Sequence, residues 1–73
     1  MPEFNYKIEE EIGVLSEKTT GWRRELNLIS WNDREAKYDI RDWAPEHSKM
    51  AKGISLSLEE VKILKEILNQ MDI

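Results

Sequence analysis

The stretch "KYDIRDWAPEHSKMAKGISLSLEEV", residues 37–61, decides the fold of this chain. It opens with the alternation typical of a strand, passes through a polar loop and enters a second short strand, "KGISL". A helix start follows at once. Ser57 and Glu60 have the spacing of a capping box, and Leu56 and Val61 have that of a hydrophobic staple. The stretch therefore predicts two strands leading into a helix.

Two more strand patterns precede this stretch. In "YKIEEEIGVLSE", Tyr6, Ile8 and Ile12 share one parity, and "WRRELNLISWN" alternates in a similar way. The residues "NDREA" indicate a short hairpin connection to the third strand. We therefore expect one α+β domain, residues 1–73, with a four-stranded antiparallel sheet and a C-terminal helix in the order β-β-β-β-α. The expected strands lie at about 5–17, 22–32, 36–43 and 52–56, and the expected helix at about 58–71.

The small size of the chain favours association. A domain of 73 residues gains about 3–5 kcal/mol from its own core, and without cysteines it has neither disulfides nor thiolate metal sites. Ile63 and Ile67 widen the apolar stripe of the helix beyond what one sheet covers. We therefore expect a two-fold homodimer; the alternative is that these side chains reach over the sheet edge. The stripe expected to pack on the sheet comprises Val61, Leu64, Leu68 and Met71.

Targeting signals are absent from the sequence pattern. Charged residues occupy the N-terminal segment where a signal peptide needs an apolar run, and no stretch approaches the ~18 apolar residues of a membrane span. We expect a cytoplasmic protein with no membrane partner, and the nucleoid is a further place where it could act.

The net charge of −4 argues against a nucleic-acid partner, but the charge is unevenly distributed. Residues 18–52 hold eight Lys and Arg against six Asp and Glu, whereas the two flanks hold three against nine. A local positive region can bind phosphates even in an acidic protein. Mixed charge is also ordinary on a small domain, so the asymmetry needs support from other residues.

No catalytic constellation is evident. His47 is the only histidine and stands in a polar loop without a thiol or a second imidazole. The three glutamates at 9–11 lie in a strand pattern, so their side chains alternate between faces and do not converge on one ion. We expect no enzymatic activity, no cofactor, no metal and no small-molecule substrate.

Cations and aromatic residues alternate on the predicted strands. Single-stranded nucleic acid is held by this combination, because cations follow the phosphates while aromatic rings stack on exposed bases. A duplex hides its base faces, so the pattern favours single strands. The alternatives are tryptophans in the core, as we expect for Trp22, and internal ion pairs such as Arg41 with Asp39. The residues that carry this pattern are Arg23, Trp31, Lys37, Arg41, Trp43 and Lys52.

The segments "DIRDW" and "KMAKGISLSLEEVKILKEIL" resemble the C-terminal domain of the positive cofactor four family of transcriptional coactivators. The likeness covers roughly residues 26–70, and the preceding strands are similar to the short bacterial members. It implies a curved sheet, a two-fold dimer and binding of single-stranded DNA with little sequence preference. By this resemblance Arg41 and Lys52 match DNA-contacting positions, Trp43 lies near a strand-end aromatic, and Trp31 replaces an aromatic of the preceding hairpin.

We therefore expect a homodimeric single-stranded DNA-binding protein acting in transcription or in the protection of exposed strands. Phosphates would be neutralised and bases stacked on the sheet face. The alternatives are a dimeric protein-interaction module that receives a peptide, and RNA binding by the same surface. The expected nucleic-acid-binding residues are Lys18, Arg23, Arg24, Trp31, Lys37, Arg41, Trp43, Lys49 and Lys52.

Overall fold

A computed structural model describes residues 5–73 of the protein, so the first four residues of the expected domain lie outside the described part. It confirms the α+β class, with four antiparallel strands in an open sheet followed by one helix. A 3-10 turn, Pro45–His47, lies in the loop before the last strand, and that strand begins two residues earlier than expected. The elements are β1 Tyr6–Glu17, β2 Arg23–Trp31, β3 Lys37–Trp43, β4 Met50–Leu56 and α1 Leu58–Gln70.

The strands follow their chain order, β1-β2-β3-β4, so β1 and β4 form the edges of the sheet. β2 and β3 pair in continuous register, whereas β1 pairs with β2 through three register shifts. Between β2 and β3, Asn32 and Asp33 adopt φ of 50° and 63°, and Arg34 N donates to Trp31 O at 2.9 Å. This left-handed pair matches the twist of an antiparallel hairpin and fixes the register of β2 against β3.

The continuous register sorts the side chains into two faces, because paired residues of antiparallel strands point to the same side. One face, here called the aromatic face, carries Glu25, Asn27, Ile29 and Trp31 of β2 beside Lys37, Asp39, Arg41 and Trp43 of β3. The other, the apolar face, carries Leu26, Leu28, Tyr38, Ile40, Ile54 and Leu56. The most deeply buried side chains, Trp43, Ile29, Asn27 and Asp39, all belong to the aromatic face.

Helix α1 begins as its sequence predicts. Ser57 Oγ accepts a hydrogen bond from Glu60 N at 3.2 Å, and Glu60 Oε1 accepts one from Ser57 N at 2.9 Å. These two bonds satisfy backbone donors that the first turn leaves without helical partners. No helix within residues 5–73 has the length and apolar content that a membrane span requires.

The expected packing of the helix stripe is wrong for a single chain. α1 makes its main contacts with β3 and β4 and has no buried residue. Val61 is half-buried, but Leu68 and Met71 remain 46% and 48% exposed. The thirteen-residue helix packs mainly against β3 and β4, so part of its apolar stripe remains exposed to solvent.

Candidate nucleic-acid interface

Trp43 forms the centre of a ring cluster on the aromatic face. Its indole is 1% exposed, with the Tyr6 ring at 5.6 Å and the His47 imidazole at 4.5 Å between centroids. His47 reaches it from the 3-10 turn, where Glu46 and His47 adopt φ of 59° and 57°. The expectation that Trp43 stacks on bases is therefore wrong for this conformation, because other rings already cover it.

Trp31 keeps part of its surface exposed. The Tyr6 ring lies 5.7 Å away at an angle of 44°, and the Arg41 guanidinium carbon lies 4.5 Å from the indole centroid. The arginine contact is a cation–π geometry, which holds the indole plane against the sheet. Trp31 is more exposed than Trp43 and is the candidate stacking residue on this face. Trp22, expected in the core, is only half-buried.

Arg41 and Asp39 form a closed pair beside Trp31. Arg41 Nε and Nη2 donate to the two Asp39 carboxylate oxygens at 2.6 and 2.8 Å, and Ser55 Oγ donates to Asp39 Oδ2 at 3.0 Å. Asp39 is fully buried, and the Arg41 side chain is 14% exposed. The charge that the sequence suggested for phosphate binding is thus already balanced by a carboxylate inside the sheet face.

Glu25 anchors a second polar network on the same face. Burial raises the pKa of this carboxyl, but hydrogen bonds from Asn27 and Arg23, together with the charge of His47 and its hydrogen bond, outweigh burial and lower the pKa. Asn27 Nδ2 lies 3.1 Å and His47 Nε2 2.9 Å from Glu25 Oε1, and Arg23 Nη2 lies 3.1 Å from Oε2. Arg23 therefore serves an internal ion pair.

Glu11, Glu25 and His47 bring potential metal-ligand atoms within 4.8 Å of one another, a grouping that sequence analysis missed. The three residues lie on β1, β2 and the loop after β3, so no local spacing could have revealed them. The Arg23 guanidinium at Glu25 already supplies the positive charge that a cation would bring. Tyr6 was also missed, because its strand pattern predicted only that one face was buried.

Two of the expected nucleic-acid-binding residues, Arg24 and Lys18, lie away from the aromatic face. Arg24 belongs by register to the apolar face, where its Nε donates to Asp42 Oδ1 at 2.9 Å, and Lys18 Nζ reaches Asp42 Oδ2 at 3.3 Å. The hydrogen bond from Arg24 and the positive charges of both residues lower the pKa of Asp42. Strand alternation places Arg24 on the face opposite Arg41, and Lys18 reaches the same Asp42 from the β1–β2 turn, so the structure does not bring these two expected nucleic-acid-binding residues together with Arg41.

Three expected cations have no carboxylate within ion-pair distance in residues 5–73: Lys37, Lys49 and Lys52. All three are exposed. Lys37 is the first residue of β3 and lies on the aromatic face, and Lys49 directly precedes β4. Lys52 lies in a β-bulge of β4, where one extra residue separates the partners of Arg41 and Trp43. Lys49 and Lys52 remain available for an anionic partner, and Lys37 forms no ion pair although its charge acts on Glu60.

Comparison with known proteins identifies the family of the chain. A protein of Treponema pallidum (strain Nichols), described as an uncharacterized protein, is 45% identical over 71 residues, which cover 97% of this chain and 84% of that protein. Residues 18–67, which include β2, β3, β4 and most of α1, match the family model described as Transcriptional Coactivator p15 (PC4). The chain therefore belongs to the Transcriptional Coactivator p15 (PC4) family.

Proposed function

We propose that this protein binds single-stranded DNA with low sequence specificity on the aromatic face of its sheet. The observation that carries the proposal is a partly exposed tryptophan, Trp31, on a face whose strands also supply exposed lysines that form no ion pair. Stacking one base on an aromatic ring contributes about 1–3 kcal/mol, whereas lysines neutralise phosphates without reading sequence. Membership of a family that binds single-stranded DNA supports the same function.

Lys37, Lys49 and Lys52 are assigned to the phosphates. They lie toward β3 and β4, on either side of the closed Arg41–Asp39 pair, and none has to break an ion pair before it meets an anion. This arrangement differs from a strongly basic groove, because only three cations act and the chain carries a net charge of −4. Binding should therefore depend on stacking as much as on charge.

A second copy of the chain is proposed as the cover of the apolar face and helix. Ile54, Ile63 and Ile67 are 55%, 57% and 50% exposed, which is unusual for a small domain with so few apolar residues in its core. A homodimer would bury them and place two aromatic faces in one particle. It would also provide the free energy of folding that 73 residues alone supply poorly.

The test is a fluorescence titration of the intrinsic tryptophans with oligo-dT of about 20 nucleotides, long enough for two binding faces, and with the matching duplex. Quenching by the single strand, weakened by salt and much weaker with the duplex, is the expected result. Equal binding of an oligo-U strand would extend the function to RNA. Binding of a peptide partner without dependence on salt would instead favour the protein-interaction module.

Single lysine variants sharpen this test. Lys37→Gln, Lys49→Gln and Lys52→Gln should each reduce the slope of log K against log salt by about 0.7, the value for one phosphate of a single strand. Lys65→Gln removes the same charge from an exposed position on α1 and is the matched control. Unchanged slopes for all three variants would overturn the assignment of the phosphates.

A further inference from the structure

Arg41 has almost no donor left for a ligand. Its Nε and Nη2 bond to Asp39, and its Nη1 lies 3.3 Å from both Ala51 O and Met50 Sδ. A guanidinium carries five N–H donors in a rigid fork, and four are committed here. A phosphate would have to compete with a buried carboxylate for this group.

The same guanidinium is fixed against the indole of Trp31. Its carbon lies 4.5 Å from the ring centroid, within the range of a cation–π contact. Asp39 sets the plane of the fork by its bidentate geometry, and Asp39 is itself held by Ser55 on β4. The chain of contacts therefore runs from β4 through Asp39 and Arg41 to Trp31.

Gly53 shows how closely β4 approaches this arginine. A Cβ added at Gly53 would clash with Arg41 Cβ and Ile40 O and would stand 3.0 Å from Arg41 Nε. Only a residue without a side chain permits that approach, so the backbone of β4 defines where the Arg41 side chain can lie. The glycine of "KGIS" thus has a packing reason that involves Arg41 directly.

We infer that Arg41 is a positioning residue, which orients Trp31 for base stacking and does not neutralise a phosphate. This role rests on the proposed binding of single-stranded DNA. It divides the cations of the site into two kinds: the lysines without carboxylate partners determine the salt dependence, and Arg41 determines how well Trp31 stacks.

Arg41→Lys separates the two roles because it keeps the charge but removes the planar fork. In oligo-dT titrations we expect Arg41→Lys to lower affinity about fivefold, a fraction of the effect of one lost stack, with an unchanged salt slope. In a Trp31→Ala background, Arg41→Lys should have no further effect. Full affinity of Arg41→Lys, or an equal loss in both backgrounds, would overturn the inference.

A readout without DNA completes the test. The difference in near-ultraviolet circular dichroism between the protein and Trp31→Phe reports the ordered indole, and Arg41→Lys should abolish most of that difference. If Arg41→Lys fails to fold, Asp39→Asn with Arg41→Gln removes both charges and keeps the shape, and it should show the same loss of affinity. Failure of the unchanged protein to bind oligo-dT would overturn the proposed function and this role together, whereas additive losses in a protein that binds would overturn this role alone.

Discussion

The two faces of the sheet arise from the same alternation along β2 and β3, yet they are covered in opposite ways. On the aromatic face, the polar residues Glu25, Asn27 and Asp39 are at most 2% exposed. Asn27 donates a hydrogen bond to Glu25, and Arg41 donates one to Asp39. On the apolar face, Ile54 is 55% exposed. A small soluble domain usually shows the reverse. The chain pairs the polar groups of its aromatic face by itself, whereas apolar side chains on the other face stay partly exposed.

The largest change in stability and association is expected from a charged residue in the exposed apolar surface of α1. Ile67→Glu places a charge in the surface that we assign to a second copy, so the variant should be monomeric and should unfold with a free energy lower by on the order of 3 kcal/mol. Sedimentation equilibrium and thermal unfolding measure both. Ile73→Glu, which changes the same side chain at a 94% exposed position, is the control and should remain dimeric. A dimeric Ile67→Glu protein of unchanged stability would place the interface elsewhere.

A side chain added at Gly53 should strain the packing of β4 against Arg41 on the aromatic face. Gly53→Ala forces a methyl group against Arg41 Cβ and Ile40 O, and overpacking of this kind costs about 1–3 kcal/mol. Gly13→Ala on β1 meets no atom within 4 Å and should leave stability nearly unchanged. Urea unfolding of the two variants gives the comparison directly. Equal midpoints for both would show that β4 can move away from Arg41.

Acid should lower the stability of the protein by protonating Glu25 on the aromatic face. Its pKa lies below the ordinary value of 4.5 in the folded chain, so its contribution to stability is present above that pH and is lost as pH falls through the lower folded pKa. One proton changes the free energy of unfolding by at most about 1.4 kcal/mol per pH unit. Glu25→Gln should therefore show lower stability at neutral pH and a shallower fall in acid.

Thermal unfolding from pH 7 into the acid range checks this prediction. Glu66→Gln, an exposed change of the same charge on α1, is the matched control and should keep the pH profile of the unchanged protein. A Glu25→Gln profile parallel to that of the control would show that the ion pairs of Glu25 do not contribute to acid sensitivity.

The smallest change in stability is expected at the start of α1, where the capping box and not the packing of either sheet face holds the helix. Ser57→Ala removes the acceptor for Glu60 N and should lower the free energy of unfolding by about 1 kcal/mol. Ser16→Ala on the exposed β1 strand should change it by no more than a few tenths of that amount. A loss much larger than 1 kcal/mol would mean that the helix start also supports the interface with a second copy.

Local patterns carried most of the fold. The alternation of β2 and β3, the Asn32–Asp33 turn and the Ser57–Glu60 box act over a few residues, so the class, the order of elements and the start of the helix were predictable. The same patterns indicated which residues share the aromatic face, since alternation alone separates Arg41 from Asp42.

Which of these groups are paired and which are exposed depends on contacts between residues that are distant in the chain. Glu25 meets His47 across 22 positions and Ser55 meets Asp39 across 16, and no spacing in the sequence announces such contacts. His47 thereby covers the Trp43 ring, and Ser55 supports the Asp39–Arg41 ion pair, which the sequence had offered as one of two alternatives. The fold and the set of cations and aromatic residues follow from local sequence patterns. Their pairing was decided by the packing of strands against each other, because desolvation and hydrogen bonding depend on neighbours that are distant along the chain.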